Sequence, residues 1–131
     1  EDAQTLFNHF SPGPITIILK KKPIISDILT QGKQTIGIRI PDEQTLLKLL
    51  EQYPNPLAAT SANISGNPPA VTAEQAVEQL GMSVDYVLDK GECKIGKAST
   101  VIDLSVSPYR IIREGSITKQ QIESLLNKEI F

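Results

Sequence analysis

The fold class is decided by one short run of sequence, Ile15-Thr16-Ile17-Ile18-Leu19. β-Branched residues dominate it, and an apolar β-branched run of this length predicts a buried strand. The preceding Ser11-Pro12-Gly13-Pro14 predicts the end of a helix, because two prolines remove backbone donors and Gly13 tolerates unusual dihedral angles. Residues 1–10 are therefore interpreted as a helix whose apolar face is formed by Leu6, Phe7 and Phe10.

Strand and helix signals interleave along the rest of the chain. Apolar runs predict further strands at Thr35–Ile40, Leu57–Thr60, Val84–Leu88, Thr100–Leu104 and Arg110–Arg113. Helices are predicted to begin after the N-cap Asp42 and at capping boxes that open with Thr72 and Thr118. The inner faces expected for the first and last of these helices are formed by Leu46, Leu47, Leu49 and Leu50 and by Ile122, Leu125 and Leu126. This pattern favours an α/β fold in which helices pack on a mixed sheet.

Length, charge and composition narrow the class of protein. A chain of 131 residues with 40% apolar and 21% charged residues fits one folded domain, residues 1–131. The 13 basic and 15 acidic residues give a formal charge of −2, which argues against a dedicated nucleic-acid binder. A local basic patch stays open, formed by Lys20, Lys21, Lys22, Lys33, Lys94 and Lys97. No apolar run approaches the roughly 20 residues that span a bilayer, so we expect no membrane association and a cytoplasmic location.

The side chains offer little for nucleophilic or metal chemistry. One cysteine, Cys93, and one histidine, His9, exclude a disulfide framework and a His-rich metal site, and leave no obvious Ser-His or Cys-His pair. The segment Gly91–Lys97 follows a predicted strand as a phosphate-binding loop would. Ala98 then stands where Ser or Thr must reach Mg²⁺, and a strand follows where a helix is required. We expect no catalytic side chain and no metal site.

A polar loop from Thr60 to Asn67 is the strongest candidate for ligand binding. It begins where an apolar run ends, which is where open α/β sheets place their ligands. Its hydroxyl and amide side chains suit a sugar, an adenine edge or phosphate oxygens. The alternative is an ordinary polar turn that satisfies its own backbone.

Two arginines are further candidates. Arg39 stands among isoleucines, so its charge needs an anionic partner, which is either a ligand carboxylate or phosphate or an internal aspartate. Arg113 stands at a strand end before a glycine turn, and its alternative role is a surface pair with Glu114.

The order and spacing of five segments resemble the Sua5/YciO/YrdC family of threonylcarbamoyl-adenylate synthases. The most specific is Pro56–Gly66, in which Thr-Ser-Ala-Asn is followed by Ser-Gly. The other four are Ser11–Thr16, Ile36–Pro41, Ser99–Asp103 and Ile111–Gly115. The resemblance implies a twisted, open, mixed α/β sheet with helices packed on it, enclosing a concave pocket.

The resemblance also implies a reaction. ATP, accompanied by Mg²⁺, L-threonine and bicarbonate would form threonylcarbamoyl-AMP with release of pyrophosphate, and the product would pass to the machinery of tRNA t6A modification. One alternative is a non-catalytic module of the YciO type that binds double-stranded RNA or a nucleotide. Another is a carbamoyl-adenylate transfer module of the hydrogenase-maturation type, which uses carbamoyl phosphate.

Carried over by motif position, the resemblance implies two sets of binding residues. The ATP contacts would be Thr35, Ser61, Asn63, Pro69 and Arg113. The threonine contacts would be Arg39, Ala59 and Ser99, with the Arg39 guanidinium on the carboxylate.

The chain departs from the family pattern at its start. The family begins with a Tyr-Pro-Thr-type strand and a Lys-x-Arg element, and this sequence contains neither. We therefore expect the chain to correspond to the C-terminal two thirds of the family domain. An exposed sheet edge or apolar face would follow, and a homodimer is one way to cover it.

Overall fold

The computed structural model describes residues 1–91 and 98–131. These residues form two compact units, which are treated separately below. The first unit comprises Glu1–Pro56 and Lys97–Phe131, and the second comprises Leu57–Gly96. The organisation as one domain, expected from chain length, stays a prediction.

A four-stranded mixed sheet forms the centre of the first unit. Its strands are β1 (Ile15–Lys20), β2 (Thr35–Ile38), β3 (Thr100–Asp103) and β4 (Arg110–Arg113). The spatial order is β2-β1-β3-β4, with β1 and β3 parallel and both outer pairs antiparallel. The predicted mixed α/β sheet is confirmed, and the run that decides the fold is a central strand.

Five α-helices accompany the sheet in the described residues. They are α1 (Asp2–Phe10), α2 (Asp27–Thr30), α3 (Gln44–Gln52), α4 (Ala73–Leu80) and α5 (Lys119–Leu126). A short 3₁₀ turn, Gly81–Ser83, follows α4 directly. None of the helices in the described ranges has the length and apolar character needed to cross a membrane.

One face of the sheet is the core of the first unit. Side chains alternate between the two faces of a strand, and Ile15, Ile17 and Ile102 point to the same side. They are fully buried together with Leu6 of α1 and Ile122 of α5. The inner faces predicted for α1 and α5 are confirmed, because Phe7 and Phe10 of α1 and Leu125 and Leu126 of α5 pack against this cluster.

The opposite face is called the open face. It carries Thr16 and Ile18 of β1 and Val101 of β3, all only partly buried. Gly37 of β2 lies on the same face, since a Cβ added there would come within 3.2 Å of the Thr16 side chain. Strands lie about 4.8 Å apart, so the two edge strands are separated by about 14 Å across this face.

Two predicted strands are wrong. Residues 57–60 and 84–88 belong to no sheet in the described chain, and Leu57, Val87 and Leu88 are about half exposed or more. An apolar run becomes a strand only where a neighbouring strand takes up its backbone hydrogen bonds. Neither run has such a neighbour among the described residues.

Three local predictions need correction. The N-cap of α3 is Glu43 and not Asp42, because the Glu43 carboxylate accepts from the Thr45 and Leu46 amides. The four leucines predicted for the inner face of that helix are not fully buried: Leu49 is about half exposed, and the others are only partly buried. The sequence interpretation also missed the single turn of α2, which Ser26 caps by accepting from the Ile28 amide.

Candidate functional site

Two of the predicted binding residues are joined at one edge of the sheet. Arg113, on edge strand β4, donates through Nε to the Ser99 carbonyl oxygen and through Nη2 to Ser99 Oγ, both at 3.0 Å. Ser99 directly precedes β3 and is 9% exposed. Strand alternation places it on the side of Val101, which is the residue paired with Arg113 in the sheet register. Both residues therefore belong to the open face.

The alternative role of Arg113 as a partner of Glu114 is not found. The Glu114 carboxylate instead accepts from the backbone amide of Lys119, at 3.0 Å, at the start of α5. The guanidinium of Arg113 is directed at the serine, not at its neighbour along the chain.

The segment that carries Ser99 is fixed from the core side by Thr100. The Thr100 hydroxyl is fully buried, donates to the Ile117 carbonyl at 2.5 Å, and accepts from the amides of Gly115 and Ile117 at 2.9 and 3.1 Å. A Cβ added to Gly115 would lie 1.9 Å from the Ala98 carbonyl oxygen, so only glycine permits this approach. The turn after β4 is thereby locked against the start of β3.

A buried acid lies at the other end of β3. Asp103 accepts from Ser105, through its amide at 2.8 Å and its hydroxyl at 2.6 Å, and from Arg110 at 3.4 Å. Burial by itself raises the pKa of Asp103, but the hydrogen bonds from Ser105 and the nearby Arg110 outweigh it and leave the pKa below its ordinary value. Asp103 is therefore a charged structural group that orders this corner of the sheet.

Arg39 follows β2 at the opposite edge. Its Nε donates to the Gly13 carbonyl at 3.4 Å, and its side chain is exposed. An internal aspartate partner was one alternative for Arg39, and the described residues provide none. Thr35 begins the same strand and shares the side of Gly37 by alternation. The outer donors of the Arg39 guanidinium thus have no partner within residues 1–91 and 98–131.

The second unit contains the polar loop. Asn63 donates through Nδ2 to the carbonyls of Ile64 and Asn67, each at 3.0 Å, while Gln79 of α4 accepts from the Ile64 amide and donates to the Pro68 carbonyl. The Asn63 amide nitrogen therefore satisfies the loop's own backbone, as the simpler interpretation expects. Its Oδ1 is buried without a hydrogen-bond partner among the described residues.

The other predicted residues of this unit make few contacts. Ala59, Ser61 and Pro69 are exposed. Thr72 caps α4 as predicted by accepting from the Gln75 amide, but Gln75 reaches back to the Val71 amide and not to that of the cap residue. The loop is thus held between one asparagine and the following helix.

Comparison with known proteins is consistent with these motifs. A family model described as telomere recombination, that of the Sua5/YciO/YrdC proteins, matches residues 1–115. The chain belongs to the Sua5/YciO/YrdC family. It is 37% identical over 128 residues to the threonylcarbamoyl-AMP synthase of Pyrococcus abyssi, covering 98% of this chain and 38% of that protein. It is 39% identical over 127 residues to the threonylcarbamoyl-AMP synthase of Bacillus subtilis, covering 96% of this chain and 37% of that protein.

A solved structure of the same family matches the fold closely. The Pyrococcus abyssi Sua5 structure complexed with L-threonine superposes with a TM-score of 0.89 at 36% identity, covering 99% of this chain and 38% of that one. The chain thus spans well under half the length of these relatives. The expected fold class is confirmed over nearly all of the chain.

The predicted basic patch, the Gly91–Lys97 segment and one surface groove add no residue to the candidate site. Of the predicted basic patch, Lys20, Lys22 and Lys33 are exposed, Lys21 pairs with Asp27 at 2.5 Å, and Lys94 and Lys97 lie outside the described residues. The Gly91–Lys97 segment, rejected above as a phosphate-binding loop, falls largely in the same gap. A surface groove of about 440 Å³ lies between α1 and α5, and its lining contains none of the predicted binding residues.

Two contributing residues were missed from the sequence. Thr100 and Gly115 both stand within segments that carry the family resemblance, but their contacts join positions 15 apart along the chain. Ser99-Thr100 is a pair of adjacent hydroxyl residues at a strand start, and that pair was the one available signal.

The described residues contain no cluster of three or more His, Cys, Asp or Glu side chains placed to hold a metal ion.

Proposed function

We propose that this chain is the ligand-holding part of a threonylcarbamoyl-AMP synthase, which uses ATP, L-threonine and bicarbonate. One observation carries the proposal: 99% of the chain superposes on a relative crystallised with L-threonine, with a TM-score of 0.89. Relatives from an archaeon and a bacterium that carry this activity in their names support it.

The chemistry requires positioning more than reactive side chains. The amine of threonine condenses with bicarbonate to give a carbamate and water. A carbamate oxygen then attacks the α-phosphorus of ATP, the bond to the bridging oxygen of the β-phosphate breaks, and pyrophosphate leaves. No protein nucleophile is needed, so fixed donors that hold the reactants and neutralise charge account for the protein's contribution.

The proposed threonine contacts are Arg39, Ala59 and Ser99. Arg39 suits a carboxylate because the outer donors of its guanidinium make no bond within the described residues and form a planar fork. Ser99 offers a buried hydroxyl on the open face, and Ala59 offers its backbone.

The proposed ATP contacts are Thr35, Ser61, Asn63, Pro69 and Arg113. The unpaired Oδ1 of Asn63 suits a donor such as an amino or hydroxyl group of the nucleotide. Pro69 can contribute packing or its carbonyl oxygen only. Mg²⁺ would enter with ATP, held by phosphate oxygens, since the described residues form no acidic cluster.

The proposal also includes the fate of the product, the location of the protein and its self-association. The product would pass to the t6A-transfer machinery for tRNA, in the cytoplasm, and a homodimer would cover exposed apolar surface. In the first unit that surface includes Ile24 and Ile28, which are 87% and 91% exposed.

Pyrophosphate release tests the proposal. The expected result with the full chain is release that needs ATP, L-threonine and bicarbonate together, and that falls at least tenfold in Arg39→Met. Arg110→Met is the matched control, because Arg110 is an exposed arginine that donates to Asp103 and is not among the proposed binding residues. Release that persists without threonine or bicarbonate would contradict the proposal, as would equal losses in the two variants. L-threonine and ATP binding by calorimetry gives a second, turnover-free measure.

A further inference from the structure

We infer that Arg113 is a positioning residue for Ser99: it fixes the serine hydroxyl so that its proton is presented to bound L-threonine. The inference rests on the proposed function and assigns Arg113 a role in threonine recognition in addition to its proposed contact with ATP. The observation that carries it is the double contact of Arg113 with the Ser99 carbonyl and hydroxyl, at 3.0 Å each.

Donor and acceptor chemistry sets the direction of the hydroxyl. A guanidinium has only donors, so Ser99 Oγ must be the acceptor in this contact. A serine hydroxyl has one proton and two lone pairs, and the contact with Arg113 uses a lone pair. The proton finds no acceptor among the described residues, although Ser99 is 91% buried. A buried donor of this kind is stabilised when a ligand supplies the acceptor.

The surrounding backbone keeps this arrangement rigid. On the core side, the Thr100 hydroxyl binds the turn at residues 115 and 117 with three hydrogen bonds. Next to it, the Ala98 carbonyl accepts from the Ser116 amide at 3.1 Å, and Gly115 lies too close to residues 98–100 for any larger residue. Arg113 on β4 and Ser99 just before β3 therefore cannot separate without breaking the hydrogen bonds of the Thr100 hydroxyl.

This geometry predicts which ligand atom Ser99 contacts. The unpaired proton of the Ser99 hydroxyl favours a carboxylate, carbonyl or hydroxyl oxygen of the ligand as its partner. Ser99 is thus assigned to an acceptor oxygen of L-threonine, and the amine remains available for the reaction with bicarbonate. Replacing Arg113 would free the serine to rotate and would weaken threonine binding even when no nucleotide is present.

The test measures L-threonine binding in the absence of ATP, by calorimetry, for the wild-type chain, Ser99→Ala, Arg113→Met and the double variant. We expect each single variant to bind about three- to tenfold more weakly, and the double variant to bind no more weakly than Ser99→Ala. Arg110→Met removes an arginine from the same strand and is expected to stay within about twofold of wild type. Wild-type affinity in Arg113→Met, or losses that multiply in the double variant, would overturn the inference.

A ligand-free measurement keeps the inference testable if a variant fails to fold. In the NMR spectrum of the wild-type chain, the Arg113 Nε–H should exchange with water more slowly than that of Arg110, because it donates to the Ser99 carbonyl. Equal exchange rates would overturn the pairing and leave the proposed function standing. Absence of threonine binding by a wild-type chain that shows the slow exchange would instead sink the proposed function, and the threonine role of Ser99 with it.

Discussion

Replacing Thr100 with valine should destabilise the first unit through one lost hydroxyl. Valine has nearly the same shape as threonine, and Thr100 is fully buried, so the substitution changes hydrogen bonding and leaves packing almost intact. The hydroxyl links the start of β3 to the turn that follows β4, by one donated and two accepted hydrogen bonds. The valine methyl can replace none of them.

The size of the effect follows from these three bonds. Each contributes about 1 kcal/mol net, so about 3 kcal/mol is lost, and the buried Ile117 amide and carbonyl lose their partner in the process. Burying a methyl group in place of a hydroxyl returns about 0.8 kcal/mol. The free energy of unfolding should therefore fall by about 2 kcal/mol, which corresponds to a melting temperature lower by about 6–10 °C for a chain of this size.

Urea unfolding followed by circular dichroism measures this change. Thr16→Val is the matched control: Thr16 lies on the neighbouring strand, faces the open side, and its hydroxyl makes no hydrogen bond within the described ranges. The control should stay within about 0.5 kcal/mol of wild type. If Thr100→Val also stays within that range, the hydrogen bonds of the Thr100 hydroxyl do not stabilise the fold, and the reasoning about the turn is refuted.

Three further predictions concern the same unit. Asp2→Asn should flatten the loss of stability below about pH 4, because hydrogen bonds from Lys128 and Tyr109 lower the folded-state pKa of Asp2. The stability that such a group contributes is present above its unfolded-state pKa and is lost as pH falls through its folded-state pKa. An unchanged acid-unfolding profile would contradict this prediction. Gly115→Ala should lower the melting temperature more than Thr100→Val does, since the added Cβ meets a backbone carbonyl at 1.9 Å, and a wild-type melt would disprove that close approach. Ile122→Ala should cost about 2–4 kcal/mol in urea unfolding, because this fully buried side chain leaves a cavity under the sheet, and a loss under 1 kcal/mol would argue against its place in the core.

The elements that sequence alone predicted well are those with strong local signals. The run at Ile15 begins β1, Arg110–Arg113 matches β4 residue for residue, and the capping box at Thr118 forms with both reciprocal hydrogen bonds. Each of these signals acts within four or five residues, either through side-chain shape or through a cap. They need no knowledge of the distant chain, which is why the fold class followed from them.

The elements that failed depend on distant partners. Leu57–Thr60 and Val84–Leu88 have the composition of strands, but composition cannot supply the neighbouring strand that a ladder requires. The choice of Glu43 over Asp42 as an N-cap depends on which carboxylate reaches the free amides, whereas residue preference alone favours the aspartate. Local propensity was therefore overridden by the availability of partners.

The candidate site divides in the same way. The residue pattern indicated Arg39 and Arg113 one by one, and the family resemblance added Ser99 and implied ligands for all three. Neither could show that Arg113 binds Ser99 rather than Glu114, because that contact joins residues 14 apart across two strands. The sequence provided the list of groups, and the sheet register provided their pairing.

The start of β3 explains how one short segment can serve stability and binding together. Consecutive residues in a strand point to opposite faces, so Ser99 and Thr100 place their hydroxyls on opposite sides of the sheet. Thr100 uses its hydroxyl fully on the core side, and Ser99 keeps a donor on the open side while Arg113 holds its oxygen.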